Sequence, residues 1–338
     1  MIDTNTQAHF MTRRPRKIIV FGGSGFVGRH LLRRLSVDGH QATVITRYAP
    51  GARALTLIPG VRLVQADPHD KAAVIRHMAG HDTVINLVGI LNERGFDGSG
   101  FRRAHVELVE NLLEGARSNG IRRLLHMSGL NAGKGESYYL KTRGEAEALI
   151  DSARRDDGLE PTVFQPSTIF GPDDSFLNRF ATLLRISPVL PLARSDARMA
   201  PVYIEDVVDA FAHALERPAS IGQTYQLCGP RDYALGEIVT WLRDQLGLRR
   251  MVLGLPDWAG KLQARVFDFV PGKPFSSDNF RSLLLDSVCA SSGFQALGIE
   301  PRSMELMAPL WLSGHDKQYR YQEFRRRARP GDRGGEPG

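Results

Sequence analysis

Cysteine is scarce in this chain. Cys228 and Cys289 are its two cysteines among 338 residues, and neither sits in a CxxC or another metal-like grouping. The scarcity reads as a chain made for a reducing compartment, with both thiols expected as small buried side chains and no metal site. No window reaches the roughly eighteen apolar residues that a membrane span requires. The opening "MIDTNTQAHF" lacks the basic start and apolar run of a secretory signal. The location expected is cytoplasmic, without a transmembrane segment and with peripheral association with a membrane as the further option.

Hydrophobic residues make up 42% and charged residues 24%, the balance of a folded globular protein. A chain of this length can bury about three quarters of its unfolded surface. The net charge of +7 is unevenly spread, with "RRPRK" at 13–17 and "RRRARPGDRGG" at 325–335, and the interior between them is close to neutral. That distribution suits solubility, an anionic ligand, or an acidic protein or membrane surface; nucleic acid is not expected as a partner.

From Lys17 onward, short β-branched runs alternate with amphipathic stretches. Strands are expected at Ile18–Phe21, Ala42–Ile45, Val61–Val64, Thr83–Val88, Leu124–Met127 and Thr162–Phe164, and helices at Phe26–Leu35, Ala72–Met78, Ala104–Ala116 and Tyr139–Ala153. This order implies an α/β fold with a parallel sheet covered on both faces. After Gly171 the rhythm changes. "DWAGKLQARVFDFV", "NFRSLLLDSV" and "SMELMAPLWL" read as helical and apolar enough to pack as a small lobe over the carboxyl edge of the sheet. Residues 1–16 read as a flexible start, 17–230 as the nucleotide-binding domain with 172–200 contributing to the second lobe, 231–316 as the small lobe, and 317–338 as a basic disordered tail.

"IIVFGGSGFVGRHLLRRL" sets Gly22, Gly25 and Gly28 between the first strand and first helix. Gly22 permits the tight turn, Gly25 lets backbone approach a pyrophosphate, and Gly28 allows close packing of helix on sheet; Gly23, Ser24, Phe26 and Val27 complete the bend. The second strand ends in "VITRYAP", offering Arg47 where an NAD site carries an acid. The fork of donors on arginine suits a 2′-phosphate, so NADP, as NADPH, is favoured over NADH. Asp67 is placed to accept from adenine, Asp70 reads as a helix N-cap, and Leu87, Val88 and Gly89 should run past the adenosine ribose. His126 is expected as a packed or hydrogen-bonded imidazole.

Ser128 ends the fifth strand, and Tyr139 opens the helix that follows. A tyrosine can exchange a proton with a substrate when a cation one turn on lies along the same helical face. That position holds Arg143; Lys141 lies about 200° round the helix, and Tyr138 with Lys141 is the alternative pair. Tyr139, Arg143 and Ser128 are the candidate catalytic group.

"VFGGSGFVGRHLL", "SYYLKTRGEAE", "QPSTIFGPDDSFLNRF", "PVYIEDVVDAF" and "GQTYQLCGP" together resemble the extended and atypical short-chain dehydrogenase/reductases, which are NAD-dependent epimerase/dehydratase-like. The resemblance spans about residues 17–312 and is strongest to the branch holding the NAD(P)H-binding accessory subunit of respiratory complex I and its bacterial relatives. It implies a Rossmann doubly wound sheet with a small, mostly helical C-terminal lobe, and a bound nicotinamide dinucleotide. By likeness Gly22, Gly25 and Gly28 hold pyrophosphate, Arg47 the 2′-phosphate, Asp67 adenine, Tyr139 and Arg143 the nicotinamide ribose, while Pro166 and Ser167 border the nicotinamide. The implied activities are oxidoreductase or epimerase chemistry on a quinone, isoprenoid or nucleotide-sugar-like substrate; the alternative is a non-catalytic accessory or assembly role in a respiratory or membrane-associated complex. Trp258, Phe267, Phe269, Met304, Met307 and Trp311 fit either a lipid or quinone cleft or plain core packing. The chain departs from the family at Arg143, usually lysine, and at Gln165, often arginine.

Overall fold

The computed structural model describes residues 15–271 and 273–312. The expected flexible start, apart from its last two residues, and the basic tail lie outside the described residues. Seven parallel strands form the central sheet: β1 (Lys17–Phe21), β2 (Gln41–Thr46), β3 (Val61–Gln65), β4 (Thr83–Asn86), β5 (Arg123–Met127), β6 (Glu160–Pro166) and β7 (Gln223–Leu227). Their spatial order is β7-β6-β5-β4-β1-β2-β3. Successive strands therefore wind outward in both directions from β1, which leaves a crevice at the carboxyl ends of β1 and β4 where the winding reverses.

The pairing is in continuous register. Ile18 to Phe21 lie opposite Ala42 to Ile45 on one side and Thr83 to Asn86 on the other. A strand buried on both faces needs an uninterrupted apolar run, and Ile18, Ile19, Val20 and Phe21 are all fully buried. Their side chains alternate between two cores. Ile18 and Val20 join the core beneath α1 (Phe26–Val37). Ile19 and Phe21 join that beneath α2 (Lys71–Met78), the helix Leu108–Asn119 (α3) and α4 (Tyr138–Asp156).

The predicted strands and helices recur with shifted ends. β4 stops at Asn86, short of the expected Val88, because the Asn86 side-chain oxygen accepts from Val88 N at 3.1 Å and turns the chain. The third helical stretch starts earlier than expected. It runs through Ser99–Arg102, a π-helical turn Arg103–Glu107 and then α3, the extra residue per turn marking the stretch that carries His105. Asp70 caps α2 as expected, its carboxylate accepting from Ala73 N at 3.1 Å.

Beyond β6 come α5 (Leu177–Ile186), α6 (Ile204–Glu216), α7 (Leu235–Gln245), α8 (Asp257–Phe267) and α9 (Ser277–Ser282). Strand Val189–Ala193 pairs in parallel with Met251–Leu255, which ties the 172–200 region to the C-terminal lobe. "NFRSLLLDSV" is helical only as far as Ser282. Asp174 organises the phrase "FGPDDSFLNRF". Buried, it accepts from the backbone N–H groups of Gly171 (2.9 Å), Phe176 (2.8 Å) and Asn178 (3.2 Å), and burial nevertheless raises its pKa to about 6.

The cysteine expectation is corrected here. Cys228, just past β7, and Cys289 are joined in a disulfide with Cα atoms 6.0 Å apart. They are not two separate buried thiols. The fold brings together residues 61 apart in sequence by laying the segment after α9 across the end of β7.

Candidate functional site

The bend after β1 has the shape an anion requires. Gly22 adopts φ +80°, and a Cβ there would lie 2.8 Å from the carbonyl carbon of Leu87. A Cβ on Gly28 would lie 2.5 Å from Gly23 Cα, so α1 can sit against the bend only with glycine at that position. A Cβ on Gly25 would meet only Gly22 O, at 3.1 Å, and Gly25 is exposed. Gly25 is also the N-cap of α1, which has no side-chain cap and no acid in its first turn. Its leading N–H groups therefore face outward with the positive end of the helix dipole behind them, a fit for a diphosphate. Ser24 O is held by Arg29 Nη1 at 3.1 Å, while Phe26 is partly exposed and Val27 is buried beneath the bend.

At the adenine end, Arg47 is exposed directly after β2, with no carboxylate ending that strand. Asp67 is exposed and turns its Oδ1 to His69 N at 3.0 Å. His69, which sequence reasoning passed over, lies among these charges. Burial and then Arg103 lower its pKa, Asp67 opposes them and Arg47 adds to them. Its buried Nδ1 has no hydrogen-bond partner among the described residues, as expected of a group facing a ligand.

At the other end of the crevice, Arg143 is buried. Its Nη1 donates to Met127 O at 2.8 Å and Val88 O at 3.3 Å, so the guanidinium bridges the ends of β5 and β4. It lies so close to Gly89 that a Cβ there would be 2.0 Å from Nη2. The guanidinium carbon stands 5.4 Å from the Tyr139 ring centroid, and the Tyr139 hydroxyl lies against Gly129. Tyr139 and Arg143 are thus brought together. Lys141 is exposed, and Tyr138 packs against Gly98 with Arg281 over its ring, so the alternative pair does not face the crevice.

Ser128 is placed differently. It is buried, and its hydroxyl has no hydrogen-bond partner among the described residues, although it lowers the pKa of Glu147, two helical turns beyond Tyr139, against the effect of burial. Gln165 Nε2 reaches both oxygens of Glu147 at 2.9 Å, and burial raises the pKa of that carboxyl. Pro166 ends β6 and Ser167 follows it, but Ser167 Oγ is already engaged, donating to Ser287 O at 2.7 Å.

Two imidazoles border Tyr139 and Arg143. His105 meets the Tyr139 ring edge to face at 5.6 Å; its Nε2 accepts from Ile90 N at 3.3 Å, and its Nδ1 lies 2.8 Å from Thr142 Oγ1. His126 bonds to Asn86 Nδ2 at 3.1 Å, as the sequence suggested. Burial, with Arg143 adding repulsion, lowers the pKa of His105 to about 2 and that of His126 to about 3. Both are neutral at physiological pH, and Arg143 is the cation beside Tyr139. Asp278 of α9 takes part without any sequence signal: Oδ1 accepts from Tyr138 N at 2.7 Å and Oδ2 from Tyr139 N at 3.1 Å.

Comparison with known proteins bears on the family and the fold. Residues 18–236 match the model of the NAD dependent epimerase/dehydratase family. The chain is 27% identical over 313 residues to "NADH dehydrogenase [ubiquinone] 1 alpha subcomplex subunit 9, mitochondrial" of Rattus norvegicus, covering 89% of this chain and 81% of that protein. It is likewise 27% identical to the "Ceramide reductase" of Caulobacter vibrioides over 243 residues, covering 71% of this chain and 74% of the relative. The fold matches a dTDP-glucose 4,6-dehydratase from Streptomyces venezuelae solved with NAD and TYD bound, with TM-score 0.71 and 19% identity over 91% of this chain and 98% of the other. It also matches a UDP-glucose 4-epimerase from Thermotoga maritima, with TM-score 0.72 and 17% identity over 91% and 99%. The open amide-lined bend, the reversal of winding beside it and a family match over most of the sheet lead to one assignment: the chain belongs to the NAD dependent epimerase/dehydratase family.

Proposed function

We propose that this chain binds NADPH and acts as an oxidoreductase on a carbonyl or alcohol substrate. The observation that carries the cofactor reading is Arg47, exposed at the end of β2 with no acid beside it to hold ribose hydroxyls or repel a 2′-phosphate. In this reading Gly22 to Gly28 take the diphosphate, Asp67 and His69 border the adenine, and Leu87 to Gly89 line the ribose path. Bound reduced nicotinamide would supply hydride to a carbonyl, and the oxidised form would accept it from an alcohol.

The protein's own part is to position that group and move one proton. Tyr139 Oη donates to the substrate oxygen as negative charge develops there, and the Arg143 guanidinium stabilises the resulting phenolate. The guanidinium is fixed on two backbone carbonyls, so it acts as a stationary charge. That anchoring also supports a second reading, an accessory role in which the nucleotide is held and not turned over, as does the likeness to complex I subunits over most of the chain.

The test is the nucleotide that copurifies with the full chain, identified by mass, with absorbance at 340 nm followed as carbonyl acceptors are added. NADPH that oxidises supports the enzyme, NADPH that never oxidises supports the accessory role, and NAD+ overturns the reading of Arg47. Replacing Arg47 with alanine should weaken NADPH roughly tenfold to a hundredfold, the value of a charged hydrogen bond, and leave NADH unchanged.

A further inference from the structure

Helix α8 carries its apolar side chains on the wrong face for a core helix. Gly260 and Ala264 form the buried face, Gly260 against Ala193 and Phe280. On the opposite side Trp258, Leu262 and Val266 fall at spacings of four within an arc of about 80°. Trp258 is 72% exposed, and Phe269 just beyond the helix is 81% exposed. Met304 and Trp311, in the same lobe, are buried. The lobe's large apolar residues therefore divide into a packed set and an outward set.

The outward set continues onto the loop after β4. Phe269 meets Phe96 with ring centroids 5.6 Å apart, and Lys273 Nζ stands 4.0 Å from the Phe96 centroid while donating to Gly95 O at 2.7 Å. Asn279 Nδ2 donates to Leu91 O at 2.9 Å, which fixes a second exposed apolar residue of that loop to the lobe. Leu91 lies two residues past Gly89, against which Arg143 lies.

The charge around the stripe is predominantly positive. Lys261 and Arg265 run along its edge, and Arg94 stands exposed between Leu91 and Phe96. Asp257 is paired with Arg194 at 3.1 Å, while Asp268 accepts from Ser277 N and Oγ at 3.0 and 2.6 Å and Asp97 from Ser99, both keeping their charge, so that Lys261, Arg265, Arg94 and Lys273 outnumber them. A short helix with tryptophan, leucine and valine outward and cations along one side is built to lie in the headgroup layer of a bilayer, aromatic rings at the interface and cations among anionic phosphates.

We infer that this face, formed by α8, Phe269 and the loop bearing Leu91 and Phe96, docks on an anionic membrane surface. Docked so, the loop after Gly89 opens the crevice towards lipid. On the oxidoreductase reading above, this makes the substrate a long-chain, membrane-dissolved carbonyl or alcohol.

The experiment is flotation of the full chain with phosphatidylcholine vesicles and with phosphatidylcholine/phosphatidylglycerol vesicles. Tryptophan emission and retained nucleotide are followed in parallel. Binding should favour the anionic vesicles, weaken with salt, and shift tryptophan emission to the blue through Trp258, so that W258F loses the shift. Trp258→Ser with Phe269→Ser should lose binding, and Lys261→Glu with Arg265→Glu should weaken anionic binding at least about tenfold, each with nucleotide retention unchanged. Failure of the chain to float with either vesicle overturns the inference. So does loss, in the serine variant, of self-association by sedimentation instead of lipid binding, because a second copy would then cover the face. Loss of nucleotide with flotation intact would count against the oxidoreductase reading alone.

Discussion

The carboxylate of Asp278 caps the helix that carries Tyr139 from 139 residues away. With Ser137 Oγ accepting from Leu140 N at 3.1 Å and Ser137 O accepting from Lys141 N at 3.0 Å, the first four N–H groups of α4 are all satisfied. The C-terminal lobe thus fixes where the phenol stands. Replacing Asp278 with alanine should cost about 1 kcal/mol of stability, the worth of an N-cap. It should lower kcat more than it weakens nucleotide binding, because the glycine bend is untouched. Denaturant titration beside single-turnover kinetics separates the two effects.

Arg143 makes two charged hydrogen bonds to backbone carbonyls from a buried position. Arg143→Met removes both and should destabilise the fold by about 2–4 kcal/mol, measured by chemical denaturation. Tyr139→Phe should abolish turnover with nucleotide affinity barely changed. Activity that persists in Tyr139→Phe would remove the phenol from the mechanism.

Asp174 gives a pH dependence with a definite sign. Its pKa rises from 3.8 to about 6 in the folded chain, so between these values the native state binds more protons than the unfolded one. Stability from this group is therefore full below about 4 and falls as pH rises to about 6, by up to about 3 kcal/mol. Denaturation midpoints over that range should show the slope, and Asp174→Asn should flatten it.

The Cys228–Cys289 bond closes a loop of 61 residues. Loop-closure entropy predicts that reducing it, or replacing both cysteines with serine, lowers stability by about 4 kcal/mol. Thermal melts with and without reductant are the check, and matching melts would mean that the bond constrains little in the unfolded chain.

Much of this fold could be read from the chain because its signals are local. Runs such as Ile18–Phe21 must be buried on both faces, and Asp70 caps its helix through an amide three residues away. The glycine bend was legible for the same reason: φ, Cβ clearance and helix start lie within seven residues. What escaped depends on distant segments meeting. Asp278 reaches Tyr139 from another lobe, the two cysteines meet only once β7 is in place, and Ser128 faces Glu147 because of how α4 lies on β5 and β6. The π-helical turn at Arg103–Glu107 also has no period-based signal, since one extra residue barely disturbs an amphipathic pattern.

Ser287 O accepts both from Ser167 Oγ at 2.7 Å and from Ala200 N at 3.0 Å, and Asn131 Nδ2 donates to Asp286 O at 2.8 Å. Together with the Asp278 cap and the disulfide, these bonds rivet the segment 278–289 along the rim of the crevice. A lobe fastened at so many points is no swinging door. Entry to the space around Tyr139 must therefore wait for small local openings, while the exposed glycine bend and Arg47, which none of these bonds involves, leave a nucleotide free to exchange from the other side.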